Sequence, residues 1–388
     1  MLRFRDRIKK SYLPEMIQID SGQQIRLAII GFGLIGQRHA EAIEIAPRVK
    51  LVAVVEPEGS ASRAAVDPSV AVFADIAQML EDTRPDGVII ASPTTLHIVH
   101  ARQCVASGVP TLIEKPISDD LAAAQELTRD AIQTNVDLLV GHHRRFNPII
   151  QRAHDLIRSG AVGDVRAINT ICWFYKPDHY FDNAPWRKKK GAGPVSVNLI
   201  HDVDLMRYFC GEVIAVQAQF TSSKRGYENE DVASAILRFK SGAIGTVSVS
   251  DSIAAPWSWE FTSDENPAYP STQQSTYFIG GSEGSISVPD LHVWKHQGEL
   301  DWWNPMQSER EPAKNLDPLV NQIAHFRRVI LGLERPLVSG TEGTKSLAVI
   351  DAIQRAAVTQ ELVQLEVRRE TSTLCGGSPL TEVITSSQ

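Results

Sequence analysis

The sequence has little that would place it in a membrane, in an oxidising compartment or at a metal. No apolar stretch approaches the ~20 residues that span a bilayer, and the opening MLRFRDRIKK is followed by no continuous apolar region of signal-peptide type. The cysteines are widely scattered without a C-x-x-C pair, which argues against a zinc site or a disulfide framework: Cys104, Cys172, Cys210 and Cys375. We therefore expect a cytoplasmic protein whose thiols are buried apolar groups or idle.

The chain also lacks an excess of positive charge. Its formal net charge is −7, and the one dense basic run covers only residues 187–190. Because phosphate binding needs a broad basic surface, nucleic acid is not an expected partner. With 388 residues, 43% of them hydrophobic, the chain is too long for one core and predicts two domains with a cleft between them. Such clefts bind small molecules.

The pattern of apolar segments divides the chain into four parts. Residues 1–24 form an extension before the first strong strand, and residues 370–388 read as a flexible tail. Residues 25–145 alternate buried strands with helices, from IRLAIIG to VDLLVGHH, which predicts an α/β doubly wound parallel sheet of Rossmann type. Residues 146–369 begin with a helix and continue as period-two segments with glycine turns, which predicts an α+β domain with an open, mainly antiparallel sheet.

A glycine motif marks the first strand-to-helix junction. Gly31, Gly33 and Gly36 follow a predicted strand and open a predicted helix, which is the context that the dinucleotide fingerprint requires. The first glycine permits a tight turn, the second lets the backbone approach a pyrophosphate, and the third lets the helix pack on the strand. The motif predicts nucleotide binding over the alternative of a simple glycine-rich turn.

Glu56 follows the second strand, about twenty residues after the glycines. A carboxylate there accepts hydrogen bonds from the ribose hydroxyls of NAD and repels the additional phosphate of NADP. We therefore expect NAD as the cofactor rather than NADP. The alternative is that Glu56 is only a solvated turn residue before Pro57.

Four blocks in order resemble one family, the Gfo/Idh/MocA oxidoreductases, named for glucose-fructose oxidoreductase, inositol dehydrogenase and a rhizopine catabolism protein. The blocks are GFGLIGQRHAEAI, SPTTLH, EKPIS and GAGPVSVNLIHDVDLMRYFCG, and the resemblance covers roughly residues 25–365. It implies a Rossmann domain joined to an open antiparallel sheet, a homodimer or homotetramer formed through that sheet, and hydride transfer at a sugar or cyclitol carbon. The cofactor contacts that it implies are Gly31, Gly33, Leu34, Ile35, Gly36, Glu56, Ser92, Thr94, His97, Glu114, Lys115 and Arg144.

Two residues of these blocks are the expected catalytic pair. Lys115 ends a core strand at the edge where doubly wound sheets bind ligands, and it resembles the lysine of the family's EKP motif. A partly buried ammonium there can hydrogen-bond the reacting hydroxyl. His201 resembles the histidine of the family's D-x-x-x-H pattern, with Asp202 and Asp204 close enough in sequence to orient it. In this chain Val197 replaces the family's aspartate. An alternative is therefore that Lys115 is the main acid/base and His201 binds a substrate hydroxyl.

The segment from Tyr175 to Arg187 is unusually aromatic for a loop, and it resembles a family region beside nicotinamide and substrate. Aromatic faces stack on the C–H surfaces of sugars. The expected substrate contacts are Tyr180, Trp186, Arg187, Asn198 and His201.

The segment around residues 141–148 leaves its own alternatives open. Arg144 or Arg145 would contact the cofactor or a substrate oxygen, or else form salt bridges that fix the hinge between the domains. His142 and His143 are adjacent on a predicted strand and would point to opposite faces, so we expect no shared metal site.

These features predict an NAD-dependent dehydrogenase that oxidises a secondary alcohol of a sugar, sugar derivative or cyclitol, a polyhydroxylated small molecule, without a metal. A dihydrodiol or other carbonyl dehydrogenase of the same family is an alternative. A non-enzymatic NAD-sensing regulator is a second, against which the presence of Lys115 and His201 counts. A secreted oxidoreductase that holds NADP is disfavoured by the absence of an export signal and by Glu56.

Overall fold

A computed structural model describes residues 22–314 and 316–365. The predicted extension up to residue 21, the predicted tail 370–388 and Cys375 lie outside the described residues. Within them, the structure contains two sheets, one of six strands and one of nine.

The first sheet is parallel and has the strand order β3-β2-β1-β4-β5-β6. This is the Rossmann order, and it places the topological switch point between β1 and β4. Its strands are β1 Ile25–Ile30, β2 Val49–Val55, β3 Ala71–Phe73, β4 Gly87–Ile90, β5 Thr111–Ile113 and β6 Leu138–Val140. The connecting helices are α1 Leu34–Ile45, α2 Ile76–Thr83, α3 His97–Ala106 and α4 Leu121–Gln133. The predicted α/β fold class is confirmed.

Helices α2 and α4 begin after an aspartate whose side chain accepts from a free backbone N–H group. Asp120 caps α4 by accepting from the Ala123 N–H at 2.8 Å. Ser118 Oγ accepts from the Asp120 N–H at 2.9 Å just before the helix begins.

The second sheet has the order β14-β13-β12-β11-β7-β10-β9-β8-β15. Its strands are β7 Val165–Trp173, β8 Val213–Ser222, β9 Glu230–Phe239, β10 Ile244–Ser250, β11 Tyr277–Gly281, β12 Ser285–Val288, β13 His292–His296, β14 Met306–Arg310 and β15 Val363–Gln364. All neighbours pair antiparallel except β7 and β10, which pair parallel. The sheet is therefore mixed, and mainly antiparallel as predicted.

The remaining helices cover the second sheet or join it to the first. They are α5 Pro148–Arg158, α6 Asp178–Asp182, α7 Ile200–Cys210, α8 Trp259–Thr262, α9 Pro318–Ile330 and α10 Gly340–Thr359. Helix α9 follows the second sheet in sequence but packs on the first, where Val320, Ile323 and Phe326 join its core. The chain thus returns to the Rossmann half after residue 317, and the division at residue 145 stays a prediction.

Three cysteines, Cys104, Cys172 and Cys210, are free and buried, as expected of small apolar residues. In the part of the chain that the structure describes, no helix combines the length and apolar character needed to cross a bilayer.

Candidate active site at the carboxyl edge of the Rossmann sheet

The glycine loop has the geometry that the motif predicts. Gly31 has a φ of +90°, and a Cβ atom there would lie 2.6 Å from the Ser92 backbone. A Cβ atom at Gly36 would overlap the Gly31 carbonyl oxygen, so α1 packs against the loop only without a side chain at that position. Gly33 has open space where a Cβ atom would stand, and the backbone N–H groups that open α1 are available to a pyrophosphate.

Leu34 and Ile35 open α1 and are exposed, with 82% of the Leu34 surface accessible. Solvent-facing apolar side chains at the start of this helix are suited to cover a ligand held on the loop, because that contact would remove them from water. Their predicted cofactor contacts stay a prediction.

Glu56 lies against the same loop. Its Oε2 accepts from the Phe32 N–H at 2.7 Å, and its Oε1 accepts from the Ser60 and Ser62 hydroxyls, each at 2.6 Å. Burial raises the pKa of Glu56, but these three donors outweigh that effect and hold the pKa below its usual value. The carboxylate is therefore charged and fixed beside the glycines, which distinguishes it from a freely solvated turn residue.

The segment after β4 forms the opposite wall of the switch point. The His97 ring lies between two carbonyl oxygens, with Nε2 at 2.9 Å from Ser92 O and Nδ1 at 2.9 Å from Pro116 O. Thr94 begins the single 3₁₀ turn that leads into α3. His97 is buried and links the segment after β4 to the segment after β5, and its predicted cofactor contact, like those of Ser92 and Thr94, stays a prediction.

Glu114 and Lys115 directly follow β5 and have different partners. Glu114 Oε1 accepts from Nε2 of the fully buried His39 of α1 at 2.7 Å. Burial raises the Glu114 pKa, but His39 outweighs it and brings the pKa to about 2. Glu114 is thus a buried anion directly beside Lys115.

The Lys115 ammonium reaches across to the second half of the chain, where Nζ donates to the Val197 carbonyl oxygen at 3.3 Å. Burial lowers the Lys115 pKa to about 8, with Glu114 opposing the shift and Arg144 adding to it. An amine with that pKa is present in both charged and neutral forms near neutral pH, which is the condition for reversible proton transfer.

The partner of Lys115 belongs to a π-helical segment, Val195–Leu199, that leads into α7. The segment is anchored where Glu230 Oε1 accepts from the Val195 N–H at 3.0 Å. Single π-helical turns are frequent at functional sites because they change which side chains face inward. Val197 stands where the family pattern has an aspartate. Lys115 therefore meets the neutral Val197 carbonyl there, which cannot accept the proton of the ammonium.

His201 follows one turn later and is buried. Among the described residues its Nδ1 has no hydrogen-bond partner. Burial lowers the His201 pKa well below its usual value, and the nearby cations Lys115 and Arg144 lower it further. His201 is therefore a neutral imidazole at physiological pH.

Two details of the sequence interpretation around His201 are wrong. Asp202 and Asp204 do not orient it, because their oxygens bind Arg144 and Arg145 instead. His142 and His143 do not point to opposite faces of a strand. Strand β6 ends at Val140, and both rings contact His201, with centroids at 6.4 and 5.4 Å.

Arg144 and Arg145 lie in a buried network between the two halves. Arg144 pairs with Asp202 at 3.2 Å and with Glu260 at 2.9 Å, while Arg145 binds both carboxylate oxygens of Asp204 at 2.7 and 2.8 Å. These contacts correspond to the salt-bridge alternative for this segment. A cofactor contact of Arg144 stays a prediction, although Arg144 also shifts the pKa of Lys115.

Four of the predicted substrate residues lie in one cluster, Tyr180, Trp186, Arg187 and Asn198, while His201 contacts His142 and His143. The Arg187 guanidinium lies 3.8 Å from the centroid of the Tyr180 ring and donates to the Tyr180 carbonyl oxygen at 2.7 Å. Trp186 beside it is 58% exposed. Lys176 connects this cluster to the helix, since its Nζ lies 5.0 Å from the Tyr180 centroid and donates to Asn198 Oδ1 at 2.6 Å.

Two family models together match most of the chain. The first describes an oxidoreductase family with an NAD-binding Rossmann fold and matches residues 25–142, and the second describes the Gfo/Idh/MocA C-terminal domain and matches residues 150–287. The chain belongs to the Gfo/Idh/MocA oxidoreductase family. The family, the enzyme class and the NAD cofactor predicted from the sequence are thereby confirmed.

Several relatives resemble this chain over part or most of its length. The scyllo-inositol 2-dehydrogenase (NAD(+)) of Bacillus subtilis is 27% identical over 89% of this chain and 98% of the relative. The rhizopine catabolism protein MocA of Rhizobium meliloti is 26% identical over 58% of this chain and 71% of the relative. In structure, an oxidoreductase from Agrobacterium radiobacter in complex with NAD+, L-tartaric acid and magnesium superposes with a TM-score of 0.75 at 19% identity, covering 88% of this chain and 98% of that one.

Sequence reasoning missed two residues of this Gfo/Idh/MocA site. His39 lies in the first quoted motif, but only its burial against Glu114 shows its role. Lys176 lies in the aromatic segment from Tyr175 to Arg187, three residues after β7 ends. A lysine among the aromatic residues of that segment was the available signal.

Proposed function

We propose that this chain oxidises a secondary alcohol of a sugar, sugar derivative or cyclitol, reversibly, with NAD as the hydride acceptor. The observation that carries the proposal is the position of the Lys115 ammonium, which reaches from the end of β5 to the π-helical segment before His201. The named activities of the full-length relatives, scyllo-inositol 2-dehydrogenase and myo-inositol 2-dehydrogenase, support the same substrate class.

The residues of the first half fit NAD. The glycine loop leaves room at Gly33, the start of α1 offers N–H groups, and the charged Glu56 faces the loop where ribose hydroxyls would donate to it. When bound, NAD supplies a two-electron acceptor for the hydride that leaves the carbinol carbon.

In this proposal Lys115 transfers the proton and His201 orients the substrate oxygen. Neutral Lys115 accepts the hydroxyl proton while the C–H bond breaks, so that the alcohol becomes a ketone and Lys115 becomes an ammonium. In the reverse direction the ammonium returns the proton to the carbonyl oxygen. His201 forms a hydrogen bond with the substrate hydroxyl or carbonyl oxygen and orients it. It does not carry the proton, because burial keeps its pKa too low for the imidazole to become charged.

The pH dependence of the two directions follows from Lys115. Its pKa is about 8, so kcat/KM for oxidation should rise with pH and reach half its maximum near that value, where the neutral amine forms. The reduction direction needs the ammonium, so its kcat/KM should fall through the same pH. Initial rates in both directions, over about two pH units on either side, measure this. Two profiles that move in the same direction would contradict the assignment.

The reaction itself is tested by the absorbance of reduced nicotinamide. Purified protein is mixed with NAD or NADP and a panel of aldoses, anhydrosugars, cyclitols and dihydrodiols. We expect a polyol of the panel to reduce NAD. The rate with NADP should be lower, because its additional phosphate would face Glu56. Binding of NAD without reduction by any alcohol would reject the proposal.

We also propose that the chain forms a homo-oligomer through the exposed face of the nine-stranded sheet. Ile244, Phe278, Trp294 and Met306 line one depression on that face, and 51% of the Ile244 surface is accessible. A contiguous apolar surface of this kind is typical of an interface between protein chains.

Light scattering coupled to gel filtration tests the oligomer. The double variant Ile244→Lys/Phe278→Lys should reduce the particle mass to that of one chain, because two charges would be buried unpaired at the interface. The control Val358→Lys changes an exposed apolar residue on α10, and its mass should match the unmodified protein. A monomeric unmodified protein would contradict the proposal.

A further inference from the structure

Lys176 is a buried cation with an incomplete set of partners. Only 5% of its surface is exposed, and among the described residues its ammonium donates one hydrogen bond, to Asn198 Oδ1 at 2.6 Å. An ammonium has three N–H donors, and a buried lysine is normally paired with a carboxylate. Two donors of Lys176 therefore remain for a ligand.

The two carboxylates that raise the Lys176 pKa already pair with other cations. Asp251 pairs with Arg225 at 2.9 Å, and Glu260 pairs with Arg144 at 2.9 Å. Burial lowers the Lys176 pKa, and these two anions oppose the shift without reversing it. The positive charge of Lys176 is thus not neutralised by a direct carboxylate contact in the described structure.

Arg187 supplies a second, partly buried cation beside Lys176. It lies over the Tyr180 ring at 3.8 Å, and Lys176 lies 5.0 Å from the centroid of that ring. Its Nε is buried without a hydrogen-bond partner among the described residues. Its one side-chain hydrogen bond in that part of the chain goes to the neutral Tyr180 carbonyl oxygen.

Both cations adjoin the reaction centre. Lys115 and Lys176 donate to consecutive residues of the π-helical segment, the Val197 carbonyl and the Asn198 side chain. We propose that the substrate of this enzyme carries a carboxylate, which Lys176 binds directly with Arg187 beside it, while Lys115 engages the hydroxyl that is oxidised. The proposal rests on the proposed function and narrows its substrate to polyhydroxylated acids.

A carboxylate explains the arrangement better than an uncharged polyol. A hydroxyl group would satisfy the donors of Lys176 but leave its buried charge without compensation, whereas a carboxylate supplies charge and acceptors together.

The test compares matched acids and neutral polyols on the unmodified enzyme, with D-glucuronate against D-glucose and quinate against myo-inositol. We expect kcat/KM with NAD to favour the acid of at least one pair by about 10-fold or more. In Lys176→Met that preference should fall by about 10- to 100-fold, mainly through KM. Lys176→Arg should restore part of it, because it retains the charge.

The control Lys190→Met removes an exposed lysine of the basic run 187–190 and should leave the preference for the acid within about twofold. Thermal unfolding should show Lys176→Met to be as stable as the unmodified protein, since methionine fills the same space without an unneutralised charge. A neutral member favoured in both pairs, or equal losses for acid and neutral members in Lys176→Met, would overturn the inference.

Calorimetric titration of the NADH complex with the same four compounds separates this inference from the proposed function. If neutral polyols are oxidised and neither acid binds more tightly than its neutral counterpart, the carboxylate site is rejected and the proposed reaction stands. Acids that bind through Lys176, with no alcohol oxidised, would support the anion site and reject the proposed reaction.

Discussion

Replacement of Lys115 by methionine should lower kcat for NAD reduction by about 10²- to 10⁴-fold, the contribution typical of a positioned acid or base. Methionine retains the apolar part of the side chain but cannot accept the hydroxyl proton or hydrogen-bond the Val197 carbonyl. NAD binding should persist, because the glycine loop and Glu56 are untouched. Steady-state kinetics and the quenching of tryptophan fluorescence by NADH measure the two effects.

The Lys115 substitution should also change the environment of His201. Lys115 is the charged group that lowers the His201 pKa most, after burial, so its removal should move that pKa upward. The control Lys240→Met removes an exposed lysine in the turn between β9 and β10 and should leave kcat within about twofold. Activity of Lys115→Met within tenfold of the unmodified enzyme would mean that another group carries the proton.

Asp204→Ala should destabilise the fold by about 3–5 kcal/mol, because the buried Arg145 guanidinium loses both of its short carboxylate contacts and keeps only Glu342 at 3.5 Å. Both Asp204 oxygens bind Arg145, and Oδ1 also accepts from the Ser346 hydroxyl of α10 at 2.9 Å. The pair therefore fastens the segment after β6 to α7 and α10. Denaturant unfolding measures the loss as a shift in the free energy of unfolding.

Asp351→Ala is the matched control for Asp204→Ala. Asp351 pairs with Arg355 on the exposed side of α10, and breaking such a pair costs about 0.2–1 kcal/mol. Burial raises the Asp204 pKa, but Arg145 outweighs it and brings the pKa to about 2, below the unfolded value near ~3.9. The stabilisation is therefore present at neutral pH and is lost only in acid, as pH falls toward 2. Equal losses for the two variants would contradict a structural role of the buried pair.

The Rossmann half could be predicted in detail because its signals are local. Its longer core strands are short apolar runs, and most of them are followed by a helix with period 3.6, which is the pattern of a doubly wound parallel sheet. Strands β3, β13, β14 and β15 were missed: β3 and β15 have only three and two residues, and β14 is exposed along its length and carries no period-two pattern. The parallel pairing of β7 with β10 joins segments about seventy residues apart, which no local pattern specifies.

The same distinction applies to the site. Gly31, Glu56 and Lys115 could be singled out because a strand end and a motif define each of them. The pairing of Asp202 and Asp204 with arginines, rather than with His201, depends on which side chains meet across the two halves of the chain. The importance of Lys176 likewise comes from its burial and its unused donors, which a sequence does not display.

Transfer of isotope tests the proposed reaction most directly. A polyol of the panel that the enzyme oxidises is prepared with deuterium on the reacting carbinol carbon, and the reduced cofactor is examined by mass spectrometry. Direct hydride transfer predicts a reduced nicotinamide one mass unit heavier, a slower rate than with the unlabelled alcohol, and loss of both signals in Lys115→Met. Reduced cofactor of unchanged mass, with deuterium released to water, would contradict hydride transfer from the alcohol carbon.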